Sequence, residues 1–462
     1  MTLNIKNIIW FADVCSLKKG RKIMKKLTKF CLTVIQNYLP DTWVLAVGLS
    51  LFVIFTALCI TPYGLLDIVK FWGDGFTKMY VFGMQMVLVL ITGYVLALTP
   101  VVKKGIDLLT RIPKTPNQAV ALTTFVSAIV CYFNWAFGPL TAGFLAIGVA
   151  RRIRGIHFPY LVAASYAGEI LRGPSSSIPL VCATPGNFMT KIGVPVIPVS
   201  QTLYSWWNIA ITIALIAGMM ILYKVMKPPA DEPIREFIAP PEEIEVEKES
   251  KDMVFAEKLD NCYFINLVFA AVILTYLGLN IQKMGFNLSL NILAMLLLSL
   301  GLLLHKSPAK FVAAVSKAIG STRGIIMQFP LYAGISGVMT GSGMVAMMSD
   351  WFVAISTKNT FPAWTFLSAG LVNIFVPSGG GQWIVQGPIM MKAAEALNAN
   401  IPETIMAFAW GDAWTNQVQP FWALPLLGIA GLGARDIMGY CVMWTIVSGL
   451  IITGSFVLLS FF

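Results

Sequence analysis

Gly168-Glu-Ile-Leu-Arg-Gly-Pro-Ser-Ser-Ser-Ile-Pro-Leu180 puts an acid, a base, three serines and two prolines into an otherwise apolar stretch. Gly411-Asp-Ala-Trp-Thr-Asn-Gln-Val-Gln-Pro-Phe-Trp-Ala-Leu-Pro-Leu426 repeats the arrangement late in the chain. Proline removes a backbone donor and interrupts a helix. In hydrocarbon an unpaired backbone group costs several kcal/mol, so broken helix is tolerated only where protein buries it or a wet cavity faces it. The two breaks therefore mark places where polar chemistry is held at membrane depth. Further punctuation of this kind lies at Pro139, Pro185, Pro377, Gly379, Gly380, Gly381 and Pro388.

The surroundings are those of a membrane protein. Hydrophobic residues make up 57% of the 462 residues and charged residues 12%, about half the charged share of a soluble domain. A bilayer span needs about 20 mostly apolar residues. Trp43 to Ile60, Tyr80 to Leu98, Leu203 to Met226, Tyr263 to Ile281, Leu288 to Leu304 and Gly439 to Phe462 meet or approach that length. The net charge of +11 does not imply a nucleic-acid partner. The basic residues sit in short clusters between spans, which is the positive-inside pattern that sets orientation. Seven cysteines show no CxxC pair and no zinc spacing with histidine, so no cofactor is expected beyond a coupling ion. Cys59, Cys131, Cys182 and Cys441 read as small apolar filler.

Residues 1–30 form a basic segment containing Lys18, Lys19, Arg21, Lys22, Lys25, Lys26 and Lys29. It lacks the apolar core and cleavage site of a signal peptide and reads as a cytoplasmic N-terminal lead-in, with Met24 as an alternative start. Residues 31–226 form a first transmembrane repeat. Residues 227–260 form a linker, in which Pro228, Pro229, Pro240 and Pro241 precede the acidic run Glu242, Glu243, Glu245, Glu247 and Glu249. Its composition predicts a solvated, flexible segment, held on the cytoplasmic side by Lys224 and Lys227. Residues 261–462 form the second repeat.

The Lys and Arg clusters give the topology. Ala119 to Ala150 is flanked by Lys103, Lys104, Arg111 and Lys114 before it and by Arg151, Arg152 and Arg154 after it. A hairpin that dips in and returns fits this better than a crossing. In the second half Tyr263 to Ile281 exits, Leu288 to Leu304 returns and Gly324 to Ser349 exits. That is one crossing more than the first half uses, so the rest of the chain enters from the opposite side. This last portion matches the first half in order. Asn134-Trp-Ala-Phe-Gly-Pro139 answers to Asn373-Ile-Phe-Val-Pro-Ser378, Gly168-Glu169 to Gly411-Asp412, and Ser177-Ile-Pro-Leu180 to Ala423-Leu-Pro-Leu426, at offsets of 239, 243 and 246 residues. The predicted fold is an all-α polytopic membrane protein of two inverted-topology repeats, each with a re-entrant hairpin and a broken transmembrane helix. About ten crossing elements are expected beside the two hairpins.

Secondary transporters commonly build a site near the midplane from such breaks. The substrate-binding candidates of the first half are Asn134, Arg172, Ser175, Ser176, Ser177, Thr184 and Asn187. Those of the second are Ser378, Gln382, Thr415, Asn416, Gln417 and Gln419, with Asn373 beside them. Neutral hydroxyls and amides can hold a carboxylate without an ion pair. The plainer reading is that Ser and Thr bond to their own helix and that Asn and Gln join helices. For a single residue the two readings compete evenly, and the clustering favours a site. Gly379, Gly380 and Gly381 lack the Lys-Ser/Thr that follows a phosphate-binding loop and read as a hairpin tip whose backbone meets the ligand or ion.

Charge inside a membrane is costly and usually functional. Glu169 and Asp412, each following a glycine at matched points, are the ion-coupling candidates. A desolvated carboxyl can exchange a proton, and an ionised one can ligate Na⁺ beside the carbonyls freed at hairpin tips and breaks. The alternatives are that Arg172 only pairs with Glu169 three residues away and that Asp412 only caps the helix after the break.

The chain resembles the short-chain fatty acid transporter family from about Met24 to the C-terminus. The resemblance is carried by Phe71-Trp-Gly-Asp-Gly-Phe76, Phe82-Gly-Met-Gln-Met86, Ala183-Thr-Pro-Gly-Asn187, Leu304-His-Lys-Ser-Pro308, Val376-Pro-Ser-Gly-Gly-Gly381, Gln386-Gly-Pro388, Gln419-Pro-Phe-Trp-Ala-Leu-Pro425 and Gly431-Leu-Gly-Ala-Arg-Asp-Ile-Met-Gly-Tyr-Cys441. It implies uptake of short-chain fatty acids such as acetoacetate or butyrate across the bacterial inner membrane, by symport with H⁺ or Na⁺. It also implies a place among the ion transporters that include divalent anion–sodium symporters. Leu171-Arg-Gly-Pro-Ser-Ser-Ser177 departs from the glycine-richer string expected there, and Gln382 stands where the resemblance leads us to expect a histidine. The expected partners are a small monocarboxylate and the lipid bilayer, and a homodimer is compatible with the sequence. One rival is a carrier of another small organic anion such as a dicarboxylate. The other is a membrane-embedded enzyme, for which His157 and His305 offer no carboxylate or nucleophile at motif spacing.

Overall fold

A computed structural model describes residues 26–78, 80–135, 138–184, 187, 189–190, 193–229, 233–238, 253–284 and 290–461. The lysines at 18, 19, 22 and 25, Arg21, Pro185, Pro240, Pro241 and the acidic run from Glu242 to Glu249 lie outside them. No strand occurs among the described residues. In chain order the helices are α1 (26–38), α2 (Thr42–Ile60), α3 (Leu65–Lys78), α4 (Tyr80–Ala97), α5 (Pro100–Thr110), α6 (Pro116–Phe133) and α7 (Gly138–Arg152). They continue with α8 (Phe158–Tyr166), α9 (Ser177–Ala183), α10 (Trp206–Val225), α11 (Phe255–Asp260), α12 (Tyr263–Met284), α13 (Leu290–Leu304) and α14 (Pro308–Ile319). The last are α15 (Arg323–Gly341), α16 (Met344–Ala354), α17 (Phe361–Asn373), α18 (Gly379–Ala396), α19 (Ile401–Trp414), α20 (Pro420–Ala430) and α21 (Ala434–Leu459).

Starts of helices follow the local chemistry. Thr115, Ser307 and Asn400 accept hydrogen bonds from backbone N–H groups at the starts of α6, α14 and α19, each followed by proline in the first turn, where its missing donor costs nothing. Six helical runs among the described residues are long and apolar enough to cross a bilayer, and seven with one bent pair. Two shorter apolar helices, Asn291–Leu304 and Pro420–Ala430, lie beside them. The segment from Gly324 to Ser349, expected as one crossing, is two helices. The chain turns by 63° between the run ending at Gly341 and α16, and Gly343 takes a φ of +80° there, a left-handed conformation open to glycine without steric cost.

Apolar side chains gather into two main cores. One joins α6 to α10 with α17 to α21, and the other joins α2, α4, α13 and α15. α20 lies between them, with Ala423 and Leu426 in the first and Phe421 and Leu424 in the second. No separate role for Phe71-Trp-Gly-Asp-Gly-Phe76 is legible in the sequence. It is the contact face of α3 on α15. A Cβ on Gly75 would stand 2.7 Å from Gly337 Cα, while Phe71 and Trp72 cover Gly341 and Gly334. Small residues let two membrane helices approach this closely.

α6 and α7 form a helical hairpin turning at Asn134 and Trp135, and α17 and α18 form another turning at Ile374 to Ser378. Each precedes an interrupted helix. α8 runs through a 3-10 turn, Ala167–Ile170, to a break before α9. α19 runs through a 3-10 turn, Thr415–Gln417, to a break before α20. The partners are exchanged. α7 packs on α20, α18 packs on α9, and the two 3-10 turns meet. At the basic end of the first hairpin, residues 233–238 of the linker form a strap. Phe158 N–H donates to Arg235 O at 2.7 Å, Arg235 N–H donates to His157 Nδ1 at 3.2 Å, and Arg151 lies over the Phe237 ring. Arg235 also pairs with Asp436 on α21.

Candidate functional site

The breaks bring together side chains nearly 250 residues apart. Arg172 follows the 3-10 turn of the first break, and its Nη1 donates to Glu169 O at 3.1 Å. A cation suits the carbonyl end of a helix. Its Nη2 stands 3.7 Å from Glu169 Oε1 and 3.8 Å from Asp412 Oδ2. Both distances exceed hydrogen-bond length, so Nη2 faces two carboxylates without bonding to either. Arg172, Glu169 and Asp412 are all buried.

The two acids are held differently. Glu169 accepts from Asn416 Nδ2 at 3.2 Å and from Gln417 Nε2 at 3.5 Å, so the second break grips the acid of the first. Asp412, on α19 ahead of its break, accepts no hydrogen bond among the described residues, and its charge partner is Arg172. Nor is it the cap of α20, because Gln419 Oε1 takes that role by accepting from Phe421 N–H at 3.0 Å. Asp412 Oδ2 instead presses on the second hairpin tip, 2.8 Å from where a Cβ on Gly379 would lie.

A cavity of about 260 Å³ lies at this junction. Glu169, Arg172, Ser176, Ser177, Asp412 and Asn416 line it with the tip residues Ser378, Gly379 and Gly380. Trp135, Ile178, Ala409 and Trp422 complete the wall. The volume falls below the ~300 Å³ at which pockets for drug-sized ligands begin, so it suits a small solute. Ser378 caps α18 by accepting from Gly381 N–H at 3.3 Å. None of the three tip glycines has positive φ. Space is what requires glycine at 379, whereas Gly380 would meet nothing within 4 Å and is open toward the cavity.

The other predicted site residues sit around the cavity rather than on it. Asn134 ends α6, and Ser175 accepts from Trp135 N–H at 3.2 Å, tying the first tip to the first break. Thr184 donates to Leu180 O, and Asn187 donates to Thr184 O in the irregular stretch after α9. Thr415 donates to Gly370 O, and Gln382 donates to Ala369 O and Gln386 Oε1. Asn373 Nδ2 joins Thr415 Oγ1 to Asn416 Oδ1. Sequence reasoning missed the apolar wall. Nothing local distinguishes Trp135, Ile178, Ala409 or Trp422 from other apolar residues in these spans.

A many-helix membrane protein with a buried cation, two buried acids and serines around a small, partly open cavity is built as a solute carrier. The profile of the Short chain fatty acid transporter family matches residues 23–459, and the chain belongs to that family. A protein of Escherichia coli (strain K12), whose name proposes a short-chain fatty acid transporter, is 41% identical over 432 residues, covering 92% of this chain and 98% of its own length. A similarly named protein of Haemophilus influenzae is 39% identical over 430 residues, covering 91% and 96%. The solved structure of the Alcanivorax borkumensis YdaH transporter covers 91% of this chain and 98% of its own at 14% identity, with a TM-score of 0.39, too slight a likeness to carry an argument.

Proposed function

We propose that the protein takes up small monocarboxylates, acetoacetate or butyrate among them, across a bacterial inner membrane by symport with protons, and that the 260 Å³ cavity is the substrate site. The observation that carries this is Arg172 Nη2, which meets Glu169 and Asp412 only at 3.7 and 3.8 Å and so keeps its donors for an incoming carboxylate. Arginine offers such a carboxylate paired, planar donors. Ser176, Ser177 and the Ser378 tip supply neutral donors beside it.

The charges set the coupling. With both acids ionised the triad sums to −1 and repels an anion. Like charges about 4 Å apart cost about 4 kcal/mol at an effective dielectric of 20. Protonating Asp412 brings the triad to zero and removes the net repulsion that an incoming carboxylate meets. Proton and substrate therefore assist each other's binding, and a dicarboxylate is left with excess charge. Asp412 is the coupling acid, because Glu169 is already held by Asn416 and Gln417. A second reading, sodium coupling, draws on the buried amide oxygens of Asn373, Gln382 and Gln417, which have no hydrogen-bond partner among the described residues while their nitrogens are engaged.

The transport unit in this reading is a pair of inverted repeats, residues 31–226 and 261–462, with the two hairpins entering from opposite faces of the membrane and the N-terminus cytoplasmic. The exchanged packing of α7 on α20 and of α18 on α9 supports a two-fold relation between them. Cysteines at Gln118 and Arg152 are expected to label from one side. Labelling from opposite sides would make the first hairpin a crossing pair. The functional test is uptake of labelled butyrate, acetoacetate and succinate into proteoliposomes under imposed pH or sodium gradients. Monocarboxylate accumulation driven by an inward proton gradient is expected, with Asp412→Asn abolishing accumulation while sparing exchange. Succinate uptake with butyrate ignored would refute the substrate class, and full gradient-driven accumulation by Asp412→Asn would refute the coupling role.

A further inference from the structure

We infer that Trp135, Ile178, Ala409 and Trp422 form the acyl subsite and set the length of chain accepted, an inference that rests on the monocarboxylate reading above. They are the apolar members of a lining whose other members are charged, hydroxylic, amide or backbone. An amphiphilic solute with one charged end and a short hydrocarbon tail matches that division. At ~30 Å³ per water-sized group, a cavity of about 260 Å³ has room for a carboxylate and a few carbons.

Both sides of the wall are packed against neighbouring groups. The Trp135 and Trp422 rings meet edge to face at 5.3 Å. Trp422 leans on Phe421, which stacks on Phe329 of α15 at 3.8 Å. Trp135 is anchored through its backbone to Ser175. One tryptophan comes from the first hairpin tip and the other from α20, so the wall is complete only when the two halves are docked. Ala409 lines the cavity from α19, one turn before Asp412, so added methyl groups narrow the cavity there. A methylene that fits or fails to fit an apolar pocket changes selectivity by roughly 10- to 200-fold.

The test is competition by straight-chain monocarboxylates of two to eight carbons against labelled acetate and butyrate in proteoliposomes. Two variants change the wall in opposite directions. Ala409→Val is expected to lower the butyrate-to-acetate preference about tenfold, and Trp422→Phe to raise the hexanoate-to-butyrate preference by a similar factor. The readout is each variant's preference among chain lengths, measured on protein shown to be folded by thermal unfolding. Preferences that stay as in the wild type, or a loss that is uniform across all chain lengths in folded protein, would overturn the inference. Wild-type protein that recognises no monocarboxylate would remove the underlying reading and the inference with it, a result distinguished by appearing before any variant is compared.

Discussion

At the first break the chain places Arg172, whose guanidinium caps a 3-10 turn and faces two acids. At the matched second break it places Thr415, Asn416 and Gln417, whose amides and hydroxyl bond to Gly370, Glu169 and Tyr166. The first break supplies the positive charge. The second supplies Asp412 and a hydrogen-bonded frame that fixes Glu169. Two matched segments thus provide similar backbone geometry, while the chemistry is divided between them. A single small anion needs its cation once, and a second buried arginine would need acids of its own, because an uncompensated buried charge is strongly destabilising.

The sharpest way to break this comparison is at the second tip. Gly379→Val would force a side chain against Asp412 Oδ2 and Ser177 Oγ, so uptake is expected to fall more than a hundredfold. A Cβ on Gly380 would meet nothing within 4 Å, so Gly380→Val should fold normally, yet Gly380 lines the cavity and the substitution should also stop uptake. Thermal unfolding in detergent separates the two. A lowered midpoint for Gly380→Val would show that the second tip is packed rather than open.

Next in size is the contrast between charge and amides. Arg172→Gln leaves Glu169 and Asp412 without their cation, and breaking a buried pair costs about 3–5 kcal/mol. Adding Glu169→Gln should recover part of that loss in a double-mutant cycle. Asn373→Ala, at the end of α17, strands Thr415 and Asn416 of the second break and should cost about 1–3 kcal/mol, the desolvation penalty of those partners, with the gradient dependence of uptake retained. If Asn373→Ala removes gradient dependence and Arg172→Gln does not, the assignment of roles to the breaks is reversed.

The smallest expected effect is at the strap, which holds the far end of the first hairpin. Burial, and then the neighbouring Arg235, hold the His157 imidazole down at about 4, from an ordinary value near 6.5. The fold keeps the neutral ring, whose Nδ1 accepts from Arg235 N–H. Its stabilisation is complete above about pH 6.5 and is lost as pH falls through 4. His157→Gln should flatten that acid-side decline in melting temperature by a few degrees. An unchanged pH profile would mean that His157 plays no part in holding the strap.

The amino-acid sequence by itself determined that the chain is helical and membrane-embedded, where its two polar breaks fall, and which acids and base lie at them. These follow from hydropathy, from proline and glycine, and from the cost of intramembrane charge, all of which act through neighbouring residues. The bend at Gly343, by contrast, was not legible, and α18 runs on through Pro388. Tertiary structure alone decided which polar groups face the cavity. Thr415 and Gln382 look like Ser177 and Ser378 in sequence, but they turn toward the backbone carbonyls of Gly370 and Ala369. Only docking of the breaks brings Arg172 to Asp412 and Asn416 to Glu169. The same holds for Trp135 and Trp422. Each is one more aromatic in an apolar span until packing sets it on a cavity wall, because a cavity is bounded by residues from distant segments and no local pattern encodes who meets whom.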